Sequence, residues 1–269
     1  MRYQSSLPEN NVNVSHNHPL REFLLLISGV AGFILLAYWS LGFLVDFAVD
    51  HISPEREAQL FSRAKFIWEM DDASSPEKQA VLQGIVDSLS ECVGISYPLK
   101  VSLVKSEDAN ALAFPGGNIV VFSGLLEKVK SKNGLTFVLA HELGHFKNRD
   151  HLRLLGRGMV LATLSVLLTG ANSDFSQMLA PTSALGQAKY SQSRESKADE
   201  TALHALNCHL GHIGGATEFF EAMKEGESKF VFGISSHFST HPGSQKRIDK
   251  LNSLAKDMGF EIKAIKDFN

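Results

Sequence analysis

The stretch FLLLISGVAGFILLAYWSLGFLV, residues 23–45, constrains this chain more than any other because it carries no charge. Its length of about 23 residues, at about 1.5 Å each, matches a hydrocarbon core of roughly 30 Å. A cleaved signal peptide would show an apolar region of about 7 to 15 residues and then a small-residue cleavage site. No such site is clear after Val45, so the run reads as a retained transmembrane helix. The expected organisation is a flexible polar tail over 1–22, an anchor over 23–45 and a catalytic domain over 53–269. A second apolar run, MVLATLSVLL at 159–168, is too short to span by itself and reads as a buried or membrane-grazing helix.

With 44% hydrophobic residues in 269, the remainder can bury a substantial core. A net charge of −3 gives no electrostatic footprint for nucleic acid, and none is expected as a partner. Two cysteines, Cys92 and Cys208, are too few for a disulfide framework; one bridge between them is allowed but not fixed by spacing. Ser53 with Pro54, and Ser75 with Pro76, each announce a helix start, and Gly94 ends the second of these helices. LKVSLVK alternates as a half-buried strand does, and NIVVFSG, which follows the PGG turn at 115–117, is a second strand candidate. From Thr136 onward the periodicity is helical again. The class is therefore α+β, mainly helical, with a small sheet.

The chemistry lies in TFVLAHELGHFKNRD, residues 136–150, where two histidines and a glutamate interrupt an apolar run. Four residues apart on a helix, His141 and His145 project from one face and can direct ring nitrogens at one ion. Glu142 is placed to act as the general base for a metal-activated water. Some fifty residues later, SRESKADETAL offers Glu195 as a third ligand. Asp199, one turn further, can accept a hydrogen bond from a ligand imidazole and fix its tautomer. One Zn2+ per chain suits this His-His-Glu donor set, which leaves a coordination position for water. Without the metal helix, the charges from Arg194 to Glu200 would pass for a solvated face.

Four ordered stretches resemble the membrane-associated zinc metallopeptidases of the HtpX, BepA, LoiP and CAAX-prenyl-protease superfamily, of gluzincin type. They are NALAFPGGNIVVFSGLL (110–126), LAHELGHFKNRDH (139–151), ESKADETAL (195–203) and STHPGSQKRIDKL (239–251). The resemblance implies a zincin-like fold with zinc held by His141, His145 and Glu195, and Glu142 as general base. It also implies a protein or peptide substrate held extended along Ala111, Leu112, Ala113 and Phe114, where an open strand edge can bind any backbone. His241 and Arg247 are further catalytic candidates, steadying either the oxyanion or an acid such as Asp199. A plain helix start at Pro242 and a surface ion pair for Arg247 are the structural alternatives. The segment KSKNGLTF departs from relatives that carry acids before the metal helix, so local capping differs here. The expectation is a compact member with one anchor and no repeat-rich extension, unlike the multi-span relatives and BepA.

The expected function is a membrane-anchored endopeptidase in envelope protein quality control. The rival is a non-catalytic, zinc-stabilised chaperone-like factor. A lid over 171–193 is a third possibility, because small and polar residues suit a mobile cover. Arg2 and Arg21 before the anchor, with Asp46 and Asp50 after it, favour a single-pass helix in a bacterial inner membrane with the catalytic domain in the periplasm. HtpX-like enzymes working on the cytoplasmic face keep the opposite placement open. His204, His209 and His212 match no zinc spacing and read as helix-face or core histidines.

Overall fold

A computed structural model of the chain describes residues 18–61, 75–170, 191–227 and 244–265. The sequence opens into α1 (Pro19–His51) and α2 (Pro54–Phe61). α3 (Pro76–Val93) begins on Ser75, whose hydroxyl accepts from Lys78 N–H, and ends on Gly94 at φ 79°, a left-handed position that suits glycine. Three strands follow, β1 (Lys100–Val104), β2 (Ala111–Phe114) and β3 (Asn118–Phe122). Helices α4 (Ser123–Lys128), α5 (Lys132–Lys147), α6 (Asp150–Thr169), α7 (Gln192–Leu210), α8 (Glu218–Glu227) and α9 (Ser244–Asp257) complete the described chain. The architecture is mainly helical with a small sheet, as the α+β reading expected.

In the sheet, β3 is central, parallel to β1 and antiparallel to β2. The two edges are treated differently. Along β1, the amides of Gln79 and Gln83 on α3 imitate a neighbouring strand. Gln79 donates to the Val101 carbonyl at 2.6 Å, while Gln83 donates to the Leu99 carbonyl at 2.9 Å and accepts from Val101 N–H at 3.0 Å. Such side-chain cover protects an edge from stray pairing. β2, the other edge, lies beside α5 and packs Ala111 and Ala113 towards the main core. Val86, Leu89, Val101, Leu139, Leu143, Leu203 and Leu206 are among the buried apolar residues that join α3, the sheet, α5 and α7. A disulfide between Cys92 and Cys208, with Cα atoms 5.9 Å apart, ties α3 to α7.

Gly144 allows α5 and α7 to touch, since a Cβ there would stand 2.8 Å from Ala198 Cα. Outside this core, α1 buries only Gly42 and Val49, and Leu24, Phe33, Trp39 and Phe43 among others stand exposed. α6 runs antiparallel to the end of α1. Arg153 pairs with Asp46 and Asp50, Arg157 pairs with Asp46, and Gly156 lies against Val45. The 159–168 run belongs to a helix of 20 residues, so this helix is longer than the apolar run suggested. α1 and α6 are both long and apolar enough to cross a membrane, and only 11% of the apolar window of α6 is buried. That exposure removes the buried-helix reading, and the full length of the helix overturns the expectation that this segment is too short to span.

Candidate active site

α5 starts where Ser131 caps it, the hydroxyl accepting from Gly134 N–H at 3.0 Å. The acid missing from KSKNGLTF comes from α8: Glu218 accepts from Lys130 N–H at 2.6 Å and Ser131 N–H at 2.8 Å, and it also bonds the Ser131 hydroxyl. A carboxylate at this end offsets the positive pole of the helix. All positions of α5 from Asn133 to Phe146 are buried. The apolar run thus holds the helix rigidly in the core, and His141, Glu142 and His145 are buried with it.

His141 and His145 meet as helical spacing requires, with their Nε2 atoms 3.1 Å apart. α7 brings Glu195 to the same point, Oε1 lying 3.4 Å from His145 Nε2 and Oε2 3.6 Å from His141 Nε2. These three residues form the group able to hold a metal ion among the described residues. The donors fit. Four ligands around a tetrahedral ion at about 2.0–2.2 Å stand roughly 3.3–3.6 Å from one another.

Each imidazole turns its other nitrogen to a carboxylate, which fixes the tautomer and ring plane. His141 Nδ1 is 3.0 Å from Asp199 Oδ1, and His145 Nδ1 is 3.0 Å from Asp150 Oδ2. Asp150 had no signal in the sequence, because it lies beyond the end of α5 and off the helix face. Burial works against protonation of both rings, but hydrogen bonds outweigh it: Asp199 and Glu195 push His141 up, and Asp150 and Glu195 push His145 up to about 9. Such basic nitrogens are good metal donors. Burial, with the Glu195 charge, pushes the Glu142 carboxyl up, while the two histidines and the Ala113 backbone N–H oppose the shift. Glu142 is thereby placed between the ligand pair and strand β2.

Arg247 is only 7% exposed, so the surface ion-pair reading does not hold. It grips Asp199 with Nε at 2.9 Å and Nη2 at 2.6 Å, reaches Glu195 Oε2 with Nη1 at 2.7 Å, and stacks on Phe220. This geometry favours steadying Asp199 and Glu195 over contact with an oxyanion. Burial alone would raise Asp199; His141 and Arg247 hold it below the ordinary carboxylate value instead. Ala111, Leu112, Ala113 and Phe114 form β2 itself. His241 and the 171–190 part of the lid segment lie outside the described residues. His204 is on an exposed helix face against Phe260, and His212 accepts from Gly214 N–H at 3.1 Å.

A buried His-His-Glu group with an adjacent glutamate defines the donor arrangement of a metallopeptidase. Comparison with known proteins agrees: Peptidase family M48 matches residues 76–255, and the chain belongs to that family. A "Protease HtpX homolog" of Thermococcus kodakarensis is 31% identical over 71% of this chain and 77% of its own length. One from Aquifex aeolicus is 27% identical over 97% of both chains. "Mitochondrial metalloendopeptidase OMA1" of Schizosaccharomyces pombe is 29% identical over 56% of this chain and 45% of its own. The chain is therefore a protease, with an N-terminal helix apolar enough to hold it in a membrane.

Proposed function

We propose that the chain is a membrane-anchored zinc endopeptidase acting on proteins close to the bilayer surface, in envelope protein quality control. The observation that carries this reading is the convergence of His141 Nε2, His145 Nε2 and the two Glu195 carboxylate oxygens within 3.1 to 3.6 Å, with both imidazoles backed by carboxylates and Glu142 alongside. His141, His145 and Glu195 would hold the ion. When bound, zinc supplies a Lewis acid for the scissile carbonyl and a water of lowered pKa. Glu142 takes a proton from the attacking water as its oxygen joins the carbonyl carbon, then gives it to the amine nitrogen as the C–N bond breaks. β2 holds the substrate backbone as an added strand, and Arg247 keeps Asp199 and Glu195 in place.

The ion pairs between α1 and α6 support a membrane-proximal site. Asp150, bonded to His145, lies seven residues from Arg157, which pairs with Asp46 at the end of the anchor. At a helical rise of 1.5 Å this is about 10 Å. The anchor over 23–45, the domain over 53–269 and the tail over 1–22 belong to this proposal. A disulfide inside the domain supports placement in an oxidising compartment, the periplasm for a bacterial inner-membrane protein.

The test is cleavage of casein by the detergent-solubilised full chain and by Glu142→Gln, with zinc measured in both. We expect equal zinc and a loss of at least ~100-fold in cleavage rate for Glu142→Gln. Cleavage by Glu142→Gln at the wild-type rate would contradict the mechanism. A zinc-loaded wild type that binds casein without cutting it would favour the chaperone-like factor.

A further inference from the structure

Glu57 has no part in the reaction above, yet it is only 2% exposed and is held by three residues from two separate segments. Its Oε1 accepts from Gly116 N–H at 2.9 Å and meets His151 Nε2 at 2.9 Å; its Oε2 accepts from Arg149 Nη2 at 2.9 Å. Gly116 is in the turn that ends β2. Arg149 and His151 stand on either side of Asp150, whose carboxylate is bonded to His145. Arg149 also donates through Nη1 to the carbonyls of Val49, at 2.9 Å, and Ile52, where α1 ends.

The backbone at Arg149 adds a second observation. Its φ of 56° is the one positive value at a non-glycine among the described residues. Side chains rarely adopt this conformation, and it persists where surrounding contacts hold it. Here the turn joins α5 to α6 and points Asp150 back at His145. Burial would push the Glu57 carboxyl up, but His151, Arg149 and the Gly116 N–H hold it down to about 2, so the clamp is an anion.

We propose that Glu57 is a positioning residue for the active site, fixing Asp150 and hence His145 through Arg149 and His151, and fixing the end of the substrate strand through Gly116. The proposal rests on the zinc-peptidase reading. It goes beyond it by making the junction behind the membrane helix part of the metal site's support. A residue that only fastened the anchor to the domain would lower stability and leave zinc exchange and substrate affinity of the folded protein unchanged.

The experiment measures zinc release from the solubilised full chain into a chromogenic chelator, together with KM and kcat for a peptide substrate. Glu57→Gln is expected to speed release about 10-fold, the scale of losing a partner behind a metal ligand, and to raise KM. Asp150→Asn should speed release as well, and the double variant should be no faster than Asp150→Asn alone, because both act on His145. Arg149→Gly removes the guanidinium at a φ that glycine accepts, and should shift release in the same direction; it carries the test if Glu57→Gln does not fold. Unchanged release in the folded variants, or effects of Glu57→Gln and Asp150→Asn that multiply independently, would overturn the positioning role. A wild type that retains no zinc overturns the peptidase reading as well. A zinc-loaded, cleaving wild type with unchanged release and KM in Glu57→Gln overturns only the positioning role.

Discussion

Gly144→Ala separates the geometry of the metal centre from the stability of the fold. A Cβ at this position would lie 2.8 Å from Ala198 Cα, 3.0 Å from its carbonyl oxygen and 3.2 Å from its Cβ. Ordinary contact begins at 3.4 Å, so α5 and α7 must separate by about 0.6 Å at their closest point. Rotating a side chain away cannot relieve this, because two of the three obstructing atoms are backbone. Gly144 adjoins His145, and Ala198 is three residues from Glu195, so the added methyl widens the gap between the ligands themselves. Metal–ligand distances tolerate about 0.2 Å.

The stability balance is smaller. Overpacking costs about 1–3 kcal/mol, and replacing a mid-helix glycine with alanine returns about 1. We expect a net loss between about 0 and 2 kcal/mol, alongside a fall in zinc affinity on the order of 10- to 100-fold. Competition with a calibrated zinc chelator measures the affinity, urea unfolding the stability, and casein cleavage the activity. Wild-type zinc affinity and cleavage in Gly144→Ala would refute the claim that close helix contact sets the ligand geometry.

Reduction of the Cys92–Cys208 bridge, which closes a separation of 116 residues, should lower stability by about 2–4 kcal/mol; urea midpoints with and without a reductant check this. Replacing Gln79 and Gln83 together with alanine uncovers the β1 edge, and should cost about 1–3 kcal/mol per residue and promote aggregation, seen by size-exclusion chromatography. Glu57 titrates near 4.5 when unfolded and about 2 when folded. Its contribution, on the order of 3 kcal/mol, is therefore present above the unfolded value and lost as pH falls through 4.5 towards 2. Urea midpoints across that acid window should fall less steeply for Glu57→Gln than for the wild type.

Features with a local cause could be read from the sequence. Ser75, Pro76 and Gly94 mark the ends of α3 because capping and positive φ are properties of single residues. His141 and His145 come together because a helix repeats every ~3.6 residues, and the same rule placed Glu195 and Asp199 on one face of α7. Asp150 could not be read this way: it reaches His145 only because Arg149 turns left-handed, and arginine gives no sign of that conformation. Glu57 likewise has the appearance of an ordinary acid in the first turn of a helix, and its partners are 59 and more residues away. Arg247 was recognisable by motif, but its burial against Asp199 and Glu195 depends on how α9 meets α7. The length of α6 was hidden because its first turns carry the arginines that pair with α1, so the apolar run covers only its second half.

Zinc content of the purified full chain tests the central claim most directly, measured by elemental analysis after dialysis against a weak chelator for wild type and Glu195→Ala. Assembly of the metal centre from His141, His145 and Glu195 predicts about one zinc per wild-type chain and little retained by Glu195→Ala, because two imidazoles from one helix turn leave the ion without its third protein ligand. A wild type free of zinc, or a Glu195→Ala chain that keeps the full complement, would contradict it.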